Sequence, residues 1–515
     1  MKNKFYFYIV LFLLICLLPS AGLFLTGITE SSENREPAPA PELFAEHSLN
    51  PSFFHDAGTW FEDHFAFRSE AVTGYALLLG KGFGVSAQEG VITGKDGWLF
   101  YKDSLEDFQG TQPMTERQLF TVAHTLAMVQ AYARKNGAAF AFAAAPNKNS
   151  LYGEYMPYYY QPRHTNKSNL ERLTKYLKHE AVTYIDLYQS LQNDERVLYH
   201  KRDSHWNNAG AALAADLILS GIGKEHSSYA DRTYTVRKDF QGDLDRMLYP
   251  AAVKPEEEIY YDPAPQFDYC EDVENHFAPK ISTRSAGSGS LVMYRDSFGN
   301  ALLPFLAEAF ESAWFSRALP YQLSDLSDHA ADTLIIERAE RFLPDMAKQA
   351  PVMEAPAVVW DDDIMERAVQ IYDPEETVQG TYTQITGKLP AEIIKERSRI
   401  YIRVNADKCY EAFPVSMADG QEGFSILLRT NDLQASDPNL QVSDLKPQAS
   451  GPILEAYLSE QDAAPAAETQ TENADGSGTG ERTMIRREDY PDCDGSGHGY
   501  AEIYYSDGSV EIEEY

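Results

Sequence analysis

The stretch that decides the reading of this chain is Tyr199–Gly210, YHKRDSHWNNAG. Asp203 and His205 stand two apart, and two asparagines suited to opening a helix precede the run AGAALAADLILSGIG. In an extended segment residues two apart point the same way. Asp203 can then accept from one ring nitrogen of His205 and leave the other to act as a base. Such a base needs a nucleophile, and the chain supplies one downstream in LVMYRDSFGNALLPFLAEAF, from Leu291 to Phe310. Ser297 falls there between a strand pattern and a helix pattern. That position puts a hydroxyl at the C-terminal edge of a sheet, beside unpaired helix N–H groups that stabilise an oxyanion. Serine alone is a poor nucleophile and needs a base, which in turn needs an orienting acid. The plain alternatives are capping of the helix by Ser297 or Asp296 and a structural Asp203–His205 pair. Their joint occurrence at two loop–helix junctions favours catalysis. No metal is expected, because His200, Asp203 and His205 have no further clustered ligand.

Outward from this motif the pattern alternates. Ala138–Pro146 (AAFAFAAAP), Thr183–Leu187 (TYIDL), Leu291–Tyr294 (LVMY) and the start of DTLIIERAERFL read as buried strands, with helical stretches such as NLERLTKYLKHE between them. A capping box at Thr115 and Gln118 opens a helix with the apolar stripe Leu119, Val122, Leu126 and Val129, ending at Asn136-Gly137. Gly94–Gly97 reads as a hairpin turn within VITGKDGWLFY. The expectation is one α/β domain over residues 40–348, with helices on both faces of a largely parallel sheet. Residues 355–458 carry short alternating runs and read as a β-sandwich-like accessory module. Residues 463–515 read as an acidic, partly disordered tail ending in a hairpin that turns at Asp507-Gly508.

At 515 residues the chain has room for two or three domains. Its 44 basic and 78 acidic side chains leave a formal charge of −34, which excludes nucleic acid and anionic lipid head groups as natural partners. Behind Lys2 and Lys4 lies an uncharged run from Phe5 to Phe24, long enough at about 1.5 Å per residue to span a bilayer. Residues 5–25 are therefore expected to be a transmembrane anchor with the body outside the cytoplasm; a cleaved signal peptide is the alternative. Ser31–Pro41 is a polar, Pro-rich spacer. Cys270, Cys409 and Cys493 are too few and too scattered for a disulfide framework, although one pair among them is open.

On the pieces WFEDHFAFRSEAV, GKDGWLFY, Pro146-Asn147-Lys148, DSHWNNAGA, RDSFGNALLPF and IIERAERFL, taken in that order, the chain resembles the alginate O-acetylation proteins of the AlgX/AlgJ type and the related DHHW-motif proteins. These are extracytoplasmic members of the SGNH-hydrolase-like superfamily. The resemblance spans roughly Trp60 to Leu343 and implies a three-layer α/β/α domain. It assigns Asp203 and His205 as acid and base and Ser297 as nucleophile. Asn147, Lys148, Trp206, Arg295 and Asn300 are candidates for substrate or oxyanion contacts; satisfying the loop backbone is the equal alternative for Asn147 and Lys148, and a core position the equal alternative for Trp206. Where family members often have Gly before the D-S-F, this chain has Arg295.

The resemblance further implies an O-acetyltransferase that acts on a cell-surface or secreted polysaccharide. It would need no bound cofactor and would receive acetyl groups from a membrane-bound O-acyltransferase partner. An esterase using the same residues, and a glycan-binding scaffold with a vestigial site, are the alternatives. Trp60 and Trp98 are read as core residues. Tyr382, Tyr401 and Tyr410 of the β-rich segment are either stacking faces for sugar or core.

Overall fold

The computed structural model describes residues 5–13, 17, 21–22, 38–45, 48–162, 167–271, 273, 276–365, 367–417, 420–433, 452–462, 484–491, 499–506 and 509–514. The apolar run Ala139–Ala145 forms a strand buried on both faces. It sits inside a seven-stranded sheet ordered Tyr184–Ile185, Ala139–Ala145, Thr333–Ala339, Ser290–Tyr294, Ser312–Ser316, Lys280–Arg284 and Asp268–Tyr269. The first five run parallel, and the last two add antiparallel at one edge.

Period-2 alternation sends successive side chains to opposite faces. Phe142, Val292, Leu334 and Ile336 pack with helices Glu116–Lys135 and Asn169–His179 on one side. Ala143, Leu291, Met293 and Ile335 pack with helices Asn208–Gly221 and Gly299–Ala307 on the other. Two covered faces explain why the strands read as continuous apolar runs. Thr115 and Gln118 form the capping box, and the Asn207 side chain caps the helix after the D-x-H loop. The strand pair Val91–Thr93 and Leu99–Tyr101 encloses the Gly94–Gly97 turn.

A separate antiparallel sheet follows. Its strand Lys408–Ser416 pairs through its first half with Arg399–Val404 and through its second half with Glu422–Arg429. The sheet bends along this strand, and its two halves share one apolar cluster that includes Ile385, Phe424 and Ile426 from one side and Ile400, Ile402 and Leu458 from the other. Tyr401 and Tyr410 are buried in this module, so neither offers a face for stacking on sugar.

Tyr500–Tyr505 and Val510–Glu514 pair antiparallel as the expected hairpin, and a third strand joins them. Met484–Tyr490, Tyr500–Tyr505 and Val510–Glu514 form a three-stranded sheet. It is pinned to the α/β sheet by the backbone pair Leu319–Asp489 and by ion pairs from Lys280 to Glu502 (2.8 Å) and Arg486 to Asp325 (2.8 Å). The expected turn at Asp507-Gly508 and the stretch 463–483 lie outside the described residues.

Residues 5–13 are helical and exposed, while much of the rest of the expected 5–25 anchor lies outside the described residues. Among the described residues no helix is long and apolar enough to cross a membrane. Cys270 and Cys409 are free thiols, and Cys493 lies outside the described residues.

The antiparallel module docks on the α/β body through a buried charge cluster. His124 meets Glu180 at 3.0 Å and Glu411 of the module at 3.1 Å, with Arg399 beside the ring. Burial opposes the His124 charge, but the two glutamates prevail and hold its pKa above the ordinary value. Burial likewise opposes ionisation of Glu180, and His124 with Arg399 draws that carboxyl down to about 2. For a histidine with a raised pKa, the stabilisation is full below about pH 6.5 and disappears as pH rises through the folded value. Removing one partner of a buried pair strands the other. His124→Gln is expected to lose roughly 3 kcal/mol of stability below pH 6.5 and distinctly less above pH 8. Denaturant unfolding at the two pH values checks this, and an equal loss at both would contradict it.

Candidate active site

The D-x-H loop is not extended. Tyr199 bridges Trp206 as the loop doubles back, and residues 201–205 turn. Asp203 accepts at one oxygen from both the His205 backbone N–H and His205 Nδ1, each at 2.8 Å. This is an Asx-type turn. It brings acid and imidazole together by local curvature, which corrects the extended geometry expected from spacing. The other ring nitrogen, Nε2, lies 2.8 Å from Ser297 Oγ. Ser297 stands between the strand Ser290–Tyr294 and the helix Gly299–Ala307, and it is not that helix's cap.

The two loops are held in register by a third residue. The Trp206 indole N–H donates to the carbonyl of Phe298 at 3.1 Å, and the Phe298 ring packs edge-on against both His205 and Trp206. Asp296 fixes the other side of the turn. It accepts the Phe298 N–H at 2.9 Å and the Ala339 N–H at 2.7 Å. Gly299 is required here, because a Cβ would lie 2.5 Å from that of Arg295.

The helix N–H groups expected to stabilise an oxyanion are already engaged. Those of Phe298, Gly299 and Asn300 donate to Asp296 Oδ1, the Asp296 carbonyl and the Ser297 carbonyl. Three other candidates are drawn into the scaffold. Lys148 is buried and its ammonium donates to the carbonyls of His200, Lys201 and Asp203, clamping the D-x-H loop from behind. Burial lowers its pKa to about 8, with the charges of Asp203 and Asp243 opposing the fall. Asn147 opens the short helix Lys148–Leu151 and bonds Glu340 and Asp107. Arg295 is buried, donates to the Ala278 carbonyl at 2.6 Å and grips Asn300 Oδ1. None of these three lines the cleft above Ser297.

That cleft measures about 870 Å³ and is walled by Trp206, Phe240, Tyr261, Phe277, Pro304 and Phe305, with Asn300 beside the serine. One wall is the hairpin of Thr233–Phe240 and Glu256–Asp262. Trp60 is half-buried and stacks on His64, and Trp98 is core. His200 is turned to Glu258 at 2.8 Å and stacks on Phe240, so it supports the wall.

Spacing along the chain did not reveal Asp243. It follows Gly242 at the start of the helix Asp243–Leu248 and lies behind the His205 ring, its Oδ2 3.6 Å from Nδ1. A Gly-Asp pair before a short helix is its only sequence signal. Asp203, His205 and Asp243 offer ligand-type atoms within 4.8 Å of one another. Each is engaged in the hydrogen bonds and ion pairs just described, and the group reads as an acid–base array.

The electrostatics divide the two acids. Burial alone would raise Asp203, but the hydrogen bond and charge of His205 hold its carboxyl far below the usual range. Burial and the Asp203 charge push Asp243 up to about 6. Burial opposes the imidazolium, yet the two carboxylates keep His205 above its ordinary value.

The fold and this arrangement define an SGNH-hydrolase-like domain with a serine–histidine–aspartate array at its sheet edge. Residues 91–277 match the family model described as SGNH hydrolase-like domain, acetyltransferase AlgX, so this stretch of the chain is similar to that domain. Asp203 and His205 fall inside the matched residues, and Ser297 lies beyond them. No curated protein matches the chain. Among solved structures it is similar to Bacillus cereus PatB1, at 18% identity over 49% of this chain and 96% of that one, with a TM-score of 0.39. It is also similar to the O-acetyltransferase domain of Pseudomonas putida AlgJ, at 17% identity over 50% and 92%, TM-score 0.34. Pseudomonas aeruginosa AlgX is similar at 10% identity over 73% and 94%, TM-score 0.34.

The Lys148 clamp is open to test. Replacing it with Met leaves three carbonyls without their buried donor, at about 1–3 kcal/mol for an unsatisfied polar group. Lys148→Met is expected to lose most ester cleavage while the cleft still binds ligand, measured by kinetics and calorimetry. Full activity in that variant would remove the clamp from the account.

Proposed function

We propose that this chain is an extracytoplasmic O-acetyltransferase that passes acetyl groups through Ser297 to hydroxyls of a cell-surface or secreted polysaccharide. The observation that carries the reading is the 2.8 Å contact between Ser297 Oγ and His205 Nε2 at the floor of an aromatic-walled cleft. Apolar ring faces suit the stacking of sugar, and the cleft has room for more than an acetyl group. The family whose model matches residues 91–277 is described as an acetyltransferase family, which supports transfer over any other acyl chemistry.

In the first half-reaction Ser297 Oγ attacks the acetyl carbonyl of the donor and its proton passes to His205 Nε2. Asp203 holds the Nδ1–H and stabilises the imidazolium. The tetrahedral adduct collapses, the donor's leaving group takes the proton from Nε2, and acetyl-Ser297 remains. A sugar hydroxyl then gives its proton to Nε2 and attacks, and Ser297 leaves with that proton. Asn300 is the oxyanion donor of this scheme. Arg295 occupies its oxygen, which leaves the amide nitrogen for the adduct.

The donor partner is a membrane-bound O-acyltransferase, because acetyl carriers of the cytoplasm do not reach an exported site. The apolar segment 5–25 tethers the body near that partner. The antiparallel module over 355–458 holds the acceptor chain and contributes proximity rather than chemistry.

Two assays separate the outcomes. Ser297→Ala and His205→Ala are each expected to lose at least roughly 10³-fold in nitrophenyl acetate cleavage, with the double variant little worse. Undiminished cleavage by Ser297→Ala would sink the scheme. Wild-type protein given the same ester and a polysaccharide is expected to acetylate the polymer. Release of acetate alone would make it an esterase. Deletion of the module is expected to spare cleavage of the small ester and abolish acetylation of the polymer; loss of both together would mean that it only supports the fold.

A further inference from the structure

Asp243 has no part in the scheme above, yet both its carboxylate oxygens and its backbone N–H bond to the acid–base loop, while Oδ1 also accepts the Leu244 N–H of its own helix at 2.6 Å. Its Oδ1 accepts the Ser204 N–H at 2.8 Å, and its Oδ2 accepts the Ser204 hydroxyl. Its own backbone N–H donates to Asp203 Oδ2 at 2.8 Å, the oxygen that His205 leaves open. The Ser204 hydroxyl in turn lies 3.1 Å from His205 Nδ1. Gly242 makes this approach possible, because a Cβ there would lie 2.2 Å from the Arg202 carbonyl oxygen. A helix that served only packing would not need its first residue pressed so closely to the catalytic loop.

We infer that Asp243 is a positioning residue for the acyl-transfer reaction, a second carboxylate that holds the Asp203–His205 turn closed and shares with Asp203 the stabilisation of the His205 imidazolium. The inference rests on the proposed role of His205 as the base. One carboxylate orients the ring through Nδ1, and the other braces that carboxylate and adds its field from a second side. Two acids this close cannot both ionise freely, so protonation of the group is shared.

The groups facing this cluster set its pH behaviour. Asp203 and Asp243 face His205 directly, and Arg341 opposes its positive charge. Lys148 lies behind Asp203 and Asp243, with Glu256 and Arg202 around it, and the charge of His200 acts on Asp203. With Asp243 at about 6, its negative charge is present above that pH and is lost below it. Loss of that charge lowers the affinity of His205 for a proton. The His205 ring should therefore titrate in two steps, and its upper step should depend on Asp243.

The test uses the folded protein and two readouts. In Asp243→Asn the amide oxygen can still accept from the Ser204 N–H, so the loop keeps its brace while the charge is removed. The expected result is a drop of roughly tenfold in kcat/KM for nitrophenyl acetate at pH 7.5, with KM little changed, and an acid limb moved about one unit to lower pH. A purely structural role would leave that limb in place, and an unmoved limb in the folded variant overturns the inference. The second readout needs no variant at Asp243. The His205 ring protons of the wild-type protein, assigned by their absence in His205→Ala, are expected to show two inflections on NMR titration. A single inflection overturns the inference even if Asp243→Asn does not fold. This titration reads coupling within the cluster whether or not acetyl is transferred, so its failure is distinct from failure of the proposed function.

Discussion

One hydrogen bond sets the dimensions of the site. The indole of Trp206 reaches across to the carbonyl of Phe298 and ties the loop carrying His205 to the turn carrying Ser297. Both segments are anchored independently, one by the helix Asn208–Gly221 and the other by the strand Ser290–Tyr294. Those elements pack in the same apolar cluster beneath the sheet edge. Close packing does not permit one to slide against the other, so the serine and the imidazole are presented at a fixed distance. The Phe298 ring packs against His205 and Trp206 on the inner side, and the cleft lies on the outer side.

Burying so many charged groups is costly unless each is answered. Lys148 is met by three carbonyls as well as the field of Asp203 and Asp243. Arg295 is met by Asn300 and a carbonyl. Burial and the charge of Asp296 push the Glu337 carboxyl well above the usual range beneath the Ser297 turn. Burial opposes the charge of Asp203, and the hydrogen bond and charge of His205 hold its carboxyl far below the usual range. Opposite shifts in neighbouring acids are what an acid–base site requires.

The same rule governs the larger assembly. The antiparallel module meets the body through His124, Glu180, Glu411 and Arg399, together with a bond from Arg117 to the Ser398 carbonyl. The terminal three-stranded sheet is pinned by Lys280, Arg486 and the backbone of Leu319. Directional polar contacts join the parts, and Phe413 of the module also packs into the apolar cluster of the body. Such contacts bring the modules of a very acidic chain together despite a general repulsion between their surfaces.

By itself the amino-acid sequence determined the local elements and the resemblance to the AlgX-type domain. The apolar runs at Ala139–Ala145 and Ser290–Tyr294, the Thr115–Gln118 capping box and the helix opened by Asn207 follow from periodicity and side-chain chemistry over a few residues. Which candidates reach the cleft was a different matter. Asn147, Lys148 and Arg295 are polar residues beside the motifs, and nothing in their spacing says that they turn inward to hold loops. The Asx turn at Asp203 depends on the Lys148 clamp and on Asp243, whose backbone arrives from a separate hairpin. The cleft wall is assembled from Phe240, Tyr261, Phe277 and Phe305, which have no common pattern along the chain. Only the tertiary structure decided these points, because long-range packing and the satisfaction of buried polar groups, rather than local preference, select where a side chain can go.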